Sequence, residues 1–182
     1  YQQKLFKGMF GIAAITLVRS EFADFFDDYI PSSWDNRMIA TFTFGKKFAK
    51  NWELGGQYQH LGGAPYTPLD LERSANRQNW DVFGRGLPDY SMLNSMRFGE
   101  FDRLNLRLDK KWFLKKWNLD LYFDVQNALN YKLDGPKFID VQRDPATGSP
   151  IVDPNNPSQY LTKLLDNRQG IVQPGIGIIV DF

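Results

Sequence analysis

The sequence predicts an all-β fold, an antiparallel transmembrane β-barrel, and three observations lead to this prediction. Six segments alternate apolar and polar residues, as two-faced strands do. The links between them alternate short and long, which is typical of a membrane barrel. Aromatic residues collect at the short links, where such barrels carry a ring of aromatic side chains.

Composition excludes several function classes. The chain has 182 residues, enough for one domain with a core of its own. A formal net charge of +1 gives no reason to expect a nucleic-acid partner. Because there is no Cys and a single His, we expect no disulfide, no Cys nucleophile and no His-rich metal site. We predict no cofactor and no metal.

No stretch of the sequence is long enough for a membrane helix. The longest apolar run, 9–18, falls short of the roughly 20 residues that such a helix needs. The mean hydropathy is −0.44. A transmembrane barrel alternates apolar with polar residues, so its average also falls in this range.

The alternation of apolar and polar residues predicts where the strands lie. The six predicted strands are 7–22, 37–48, 52–60, 103–112, 117–127 and 175–182. In the first, both faces are apolar, so its facing is ambiguous. In the last, Ile176, Ile178, Val180 and Phe182 share one face. A terminal strand with such a face is expected to be tied into a sheet.

The charged residues indicate which face of the predicted strands points away from lipid. Five charged side chains fall on one parity of two consecutive strands: Arg103, Arg107, Asp109, Asp120 and Asp124. A charge facing lipid near the midplane costs about 2–4 kcal/mol, so this parity is expected to line a wet or plugged lumen, with pairing across strands. Lys110 falls on the apolar parity, where its stem can lie along apolar surface while the ammonium reaches the headgroups.

The links fix the predicted topology. Short turns are expected at 49–51 and 113–116, and long extracellular loops at 22–36, 61–102 and 128–169. Antiparallel strands then place both turns on the same side as Phe182. The predicted membrane girdle at that side consists of Phe48, Trp52, Trp112, Phe113, Trp117 and Phe182.

Three stretches carry a family resemblance. "YIPSSWDNRMIATFTFGKKFAKNWELGGQYQHLGGAPYTPLD", "RLNLRLDKKWFLKKWNLDLYFDVQNALN" and "IVQPGIGIIVDF" resemble, in order, the last strands of TonB-dependent receptors of the Bacteroidota type. The resemblance covers nearly the whole chain, and the motifs "PSSWDNR", "GGAPYTP" and "DVQNALN" carry it together. Phe182 also resembles the terminal signal that outer-membrane barrels present to their assembly machinery.

The resemblance implies a barrel of about 22 strands with an N-terminal plug. Six strands cannot close, since the smallest membrane barrels have about eight. Residues 1–182 are therefore expected to be the C-terminal portion of a single barrel domain in the bacterial outer membrane. The implied partners are outer-membrane lipid, the missing N-terminal strands and plug, TonB through that missing part, and a surface lipoprotein or other complex subunits.

Candidate site residues lie in the long loops. Five aromatic residues there could stack on a ligand, or could pack loops against each other or against the plug: Trp34, Tyr66, Trp80, Phe83 and Tyr90. His60 is expected to be interfacial or structural, because no nucleophile is arranged near it. "GGAPYTP" is interpreted as a turn, with a phosphate nest as the alternative. "DPATGSPIVDP" predicts a hairpin turning at Thr147 and Gly148, and its Asp spacing does not match a calcium loop.

We predict a transport receptor rather than an enzyme. The imported ligand would be scarce, such as a siderophore, metal chelate or glycan, and this segment would form barrel wall, ligand-facing loops and closing strand. One alternative is a receptor-like barrel that serves as a structural subunit of an outer-membrane complex. Another is a soluble carbohydrate-binding β-sandwich, which the aromatic girdle disfavours.

Overall fold

The computed structural model describes residues 2–4 and 7–182, and its main feature is one seven-stranded antiparallel sheet. The strands lie side by side in chain order. They are β1 (Gln2–Lys4), β2 (Met9–Leu17), β3 (Met38–Lys47), β4 (Trp52–Leu61), β5 (Phe101–Phe113), β6 (Asn118–Gln126) and β7 (Gln173–Asp181).

The prediction of a mainly β fold with antiparallel strands is confirmed. Five predicted strands are present with similar bounds, whereas the first ends at Leu17 because the chain turns away there into a loop. Sequence alternation missed β1, a three-residue strand that pairs with β2 from Gln2 opposite Ile12. Among the described residues, β1 and β7 form the two outer edges, so the sheet is open there.

The two ends of the sheet differ in their connections. At one end, here called the turn edge, β3 and β4 are joined by a 3₁₀ turn at Ala49–Asn51. β5 and β6 are joined at the same edge by residues 114–117, closed by a hydrogen bond of 3.0 Å from the Leu114 amide to the Trp117 carbonyl. The opposite end, the loop edge, carries three long loops, 18–37, 62–100 and 127–172. The prediction that both short turns lie at one end of the sheet and the three long loops at the other is confirmed.

The long loops contain local structure of their own. Two short helices, α1 (Leu71–Ala75) and α2 (Arg77–Phe83), lie in the second loop with a 3₁₀ turn at Tyr90–Met92. The two-stranded ribbons pair Glu21–Ala23 with Tyr29–Pro31, Pro65–Tyr66 with Met96–Arg97, Leu69–Asp70 with Leu87–Pro88, Leu133–Asp134 with Arg168–Gln169, Phe138–Val141 with Thr162–Leu165, and Val152–Asp153 with Asn156–Tyr160. Among the described helices, none has the length and apolar character needed to cross a membrane.

Local capping explains the helices and the predicted hairpin. The Asp70 carboxylate accepts the Arg73 amide at the start of α1, and Gly84, at φ 60°, ends α2. In the third loop, the Asp144 amide donates to the Ser149 carbonyl, and Gly148, at φ 71°, makes the turn. That hairpin prediction is confirmed.

The buried apolar core lies in the loops. Trp80 of α2 packs with Ile139 and Val141 of the third loop, and Leu69 and Tyr160 surround them. The Tyr160 hydroxyl donates to the Asp81 carboxylate at 3.0 Å, which fastens the third loop to α2. The second and third long loops therefore form one packed unit above the sheet.

Candidate functional site

The first face of the sheet is apolar and uncovered. Cross-strand register places Ala13, Phe42, Tyr58 and Leu104 in one row, and Lys110, Leu121 and Ile178 in another. Large side chains on this face are widely exposed, with Ile178 65% and Phe123 48% accessible. Burying this surface in an apolar environment would contribute about 25 cal/mol per Å².

The second face carries the charges. Arg103, Arg107, Asp109, Asp120 and Asp124 all lie on it, as alternation predicts. Arg107 donates to Asp109 on its own strand at 2.7 Å, and its guanidinium lies 3.9 Å from the centre of the Tyr122 ring. These side chains make the second face polar along β5 and β6.

Two further residues, Lys111 and Glu53, belong to this group of charged side chains but not to the predicted set. Lys111 bridges neighbouring strands, with its ammonium 3.1 Å from Glu53 and 3.9 Å from Asp120. The other Asp120 oxygen, Oδ1, is buried and has no hydrogen-bond partner among the described residues. The signal was available, because Lys111 follows the same parity as Arg107 and Asp109.

The facing of the first predicted strand was ambiguous because β2 also carries apolar residues on the polar face, namely Phe10, Ile12 and Ala14. Phe10 lies opposite Gly45, and a Cβ at residue 45 would come within 2.2 Å of its ring. The ring thus covers backbone that would otherwise be bare. Cross-strand packing on a glycine gives the polar face of β2 an apolar residue without changing the facing of the sheet.

Exposed aromatics gather at the turn edge. All six residues of the predicted girdle are exposed there: Phe48, Trp52, Trp112, Phe113, Trp117 and Phe182. Phe113 differs from the prediction, because it pairs with Asn118 and so lies on the polar face, on the same parity as Lys111. The Lys110 ammonium lies 5.3 Å from the Trp52 ring centre and 5.4 Å from that of Trp112. It also donates to the Lys50 carbonyl, so the long side chain reaches the turn.

At the loop edge, two of the quoted motifs meet. Arg97 donates to the carboxylate of Asp35, in "PSSWDNR", and to the carbonyl of Gly63, in "GGAPYTP", at 2.9 Å. Asp35 is buried, only 3% exposed, and its other oxygen accepts the Ser20 amide at 3.1 Å. The hydrogen bond from Arg97 holds the pKa of the Asp35 carboxyl below its usual value.

The third motif, "DVQNALN", forms a turn around Asn127. This residue is buried and has φ of 51°, a conformation that Asn tolerates better than most residues. Its side chain accepts the Tyr131 amide at 3.0 Å and donates to the Tyr131 carbonyl at 2.9 Å. The Asn127 backbone amide donates to the Asn105 side-chain oxygen at 3.1 Å, and this bond fixes the start of the third loop on β5.

The five loop aromatics lie in different surroundings. Trp34, Phe83 and Tyr90 are exposed, and Trp34 is 80% accessible. Tyr66 stacks on Phe98 with ring centres 4.2 Å apart. Trp80 is only 7% exposed and sits in the loop core, which favours the packing role over ligand contact for this residue. Contact with a ligand stays a prediction for the other four.

His60 belongs to a hydrogen-bonded group on the apolar face near the loop edge. Asp102, directly opposite it on β5, accepts the Tyr58 hydroxyl at 2.5 Å and lies 2.9 Å from His60 Nδ1. The facing of His60 agrees with the prediction. These polar side chains therefore satisfy one another's hydrogen-bonding groups.

No protein-family model matches this chain, and no curated protein matches it. The function is therefore inferred from the two faces of the sheet, its two edges and the packing of its loops.

Proposed function

We propose that the chain forms part of the wall and loops of a TonB-dependent transport receptor in the bacterial outer membrane. The observation that carries the proposal is the contrast between the two faces of one sheet. One face exposes large apolar side chains, and the other holds a ladder of paired charges. Lipid suits the first face, and a polar lumen suits the second.

Closure with further strands follows from the membrane setting. Lipid cannot hydrogen-bond the backbone groups at the free edges of β1 and β7. In the proposed receptor these edges pair with other strands, giving a barrel of about 22 strands around a plug. Such a barrel would be too wide for its own side chains to fill, which fits a face lined by charges.

The two edges give the proposed orientation. Exposed aromatics at the turn edge, with Lys110 between Trp52 and Trp112, suit a membrane interface where rings lie among headgroups. The turn edge would face the periplasm, and the packed loops would face outward and meet the ligand. In this proposal the plug is the partner inside the barrel, TonB is the partner on the periplasmic side, and a surface lipoprotein is a partner at the loops.

A matched pair of substitutions tests the barrel. Phe42 and Thr43 are neighbours at the middle of β3 on opposite faces. Phe42→Arg places a charge in lipid at a cost of about 2–4 kcal/mol, whereas Thr43→Arg places it in the lumen. In the full-length protein, Phe42→Arg should reduce the folded, heat-modifiable band in outer-membrane fractions, and Thr43→Arg should not. Equal amounts of folded protein in the two variants would contradict the proposal.

Transport separates the receptor from the structural-subunit alternative. If the protein imports a ligand, deleting its gene and deleting TonB should abolish uptake of the same nutrient. If the protein is a structural subunit, its deletion should destabilise other outer-membrane proteins without a TonB-dependent uptake defect.

A further inference from the structure

A cavity of about 380 Å³ opens at the loop edge, on the side of the polar face. Leu61 and Phe101 are paired at the ends of β4 and β5 and form its floor. Phe98, Leu133 and Pro136 of the second and third loops form its walls. The volume falls within the range of small-molecule sites, about 300–1,000 Å³.

The cavity continues into two neighbours. One, of about 350 Å³, shares Phe101 and Leu133 with it; the other, of about 370 Å³, shares Phe98 and Asp134. Together they follow the seam between the second and third loops. A ligand longer than one ring would therefore find room on either side.

The charged residue that lines the cavity itself already has a partner. Asp134, the one charged residue among those lining it, accepts Arg168 Nε at 2.8 Å. In the space that shares Phe98, Lys137 lies 3.3 Å from Asp166, and Arg97 is bound to Asp35. In the space that shares Phe101, Arg103 donates to the Asn105 side chain at 3.1 Å and has no carboxylate partner among the described residues. A charged group held within the central cavity itself would have to lie against the apolar walls without a counter-ion or break the Asp134–Arg168 pair, and both are costly.

The polar groups at the rim are uncharged. The amides of Asn36, Asn167 and Gln169 line the cavity, and each carries both donors and an acceptor. Gln169 donates to Asn167 at 3.2 Å, so these two amides already form a small polar strip. Apolar walls with a few polar groups at the rim are the usual composition of a site for an amphipathic small molecule.

We infer that this cavity binds an uncharged ligand with one apolar ring face and a hydroxyl- or amide-bearing edge. The inference rests on the proposed function, since it names the chemistry of the cargo that the loops would select. Phe98 and Phe101 supply ring carbons for the apolar face, and the amide strip supplies hydrogen bonds to the edge. Multiply charged chelates fit the same cavity poorly.

Two probes of nearly equal shape test whether the cavity prefers an uncharged ligand. Phenyl β-D-glucoside is neutral, and phenyl β-D-glucuronide differs by a carboxylate in place of a hydroxymethyl group. Binding of each to the purified full-length protein in detergent is measured by saturation-transfer NMR titration. The glucoside should bind at least about tenfold more tightly than the glucuronide, since no cationic residue of the described chain lines the central cavity. Equal binding, or tighter binding of the glucuronide, overturns the inference.

Two leucines of the third loop locate the binding. Leu133→Trp fills the cavity, whereas Leu129→Trp adds the same bulk at a residue that does not line it. The glucoside should bind Leu129→Trp as it binds wild type, and bind Leu133→Trp about tenfold more weakly. Unchanged affinity in Leu133→Trp overturns the inference.

A glycine provides a second blocking variant in case Leu133→Trp fails to fold. Gly99 also lines the cavity, and a Cβ added there would meet nothing within 4 Å, so Gly99→Leu should fold and weaken glucoside binding. Glucoside affinity equal to wild type in folded Gly99→Leu also overturns the inference. Probe binding is independent of membrane location, so a failure here is distinguishable from a failure of the barrel test with Phe42→Arg and Thr43→Arg.

Discussion

Arg97 is bound to Asp35 across 62 residues of chain, and the pair ties the second long loop to the first. The guanidinium donates both to the Asp35 carboxylate and, at 2.6 Å, to its backbone carbonyl. The carboxylate is buried and also accepts the Ser20 amide, so the contact fixes three segments at once. This interlock therefore holds the first and second long loops together at the loop edge.

We expect Asp35→Asn to loosen this interlock. Losing a hydrogen bond to a charged group costs about 2 kcal/mol, so amide exchange in residues 18–37 should speed up roughly 30-fold. Hydrogen exchange measures this directly. Asp27→Asn, at an exposed site of the same loop, is the control and should leave exchange unchanged. Equal exchange in wild type and Asp35→Asn would show that the pair does not hold the loops together.

The same interlock should weaken in acid. Because the folded-state pKa of Asp35 is lowered, its contribution is fully present above the pKa of an unfolded aspartate, about 3.9, and is lost as pH falls through the folded value. Exchange in 18–37, corrected for the intrinsic rate, should therefore approach that of Asp35→Asn only below about pH 4. A wild-type loop that loosens between about pH 5 and 7 would contradict this assignment.

Replacing a buried and an exposed tryptophan tests whether the loop core stabilises the loops. Trp80→Ala should remove about 3–5 kcal/mol from the local stability of the loop unit, because the ring is buried against Ile139 and Val141. Trp34→Ala should change stability by less than about 0.5 kcal/mol, because Trp34 is exposed. Protease sensitivity of residues 138–165 reports the difference. Similar cleavage in the two variants would mean that the loop core does not stabilise the loops.

Adjacent lysines test the charge ladder. Lys111→Met leaves Glu53 and Asp120 without their shared cation on the polar face and should cost about 2 kcal/mol. Lys110→Met removes exposed cation–π contacts, worth about 0.5–1 kcal/mol, and the exposed hydrogen bond to the Lys50 carbonyl. Urea unfolding of the refolded protein compares the two free energies. A larger loss in Lys110→Met would indicate that the polar face is not held by these ion pairs.

The sheet could be predicted from the sequence because its signals are local. Alternation in "RLNLRLDKKW" and "WNLDLYFDVQN" fixed both the strands and their faces, and the lengths of the links fixed the two edges. β1 could not be found this way, since three residues are too few to show a period of two. The helices had a detectable signal in Asp70, Asn76 and Gly84, which cap and end them.

The loop edge could be predicted much less. The aromatics were recognisable as loop residues, but the burial of Trp80 depends on Ile139 and Val141, some 60 residues later in the sequence. Likewise, nothing near Asp35 reveals that Arg97 will bind it. The cavity arises between two loops whose relative position is set by these distant contacts, so residue types alone could not indicate it.

The facing of β6 tests the central claim most directly. Residues 1–182 contain no Cys, so a Cys introduced at Phe123 or at Asp124, neighbours on opposite faces, is the single labelling site in this part of the protein. In the full-length protein reconstituted in lipid, the label at Phe123 should be accessible to oxygen, which concentrates in lipid, and shielded from a water-soluble nickel chelate. The label at Asp124 should show the reverse preference. The same accessibility to both quenchers at the two positions would contradict a sheet with one face in lipid and the other in the lumen.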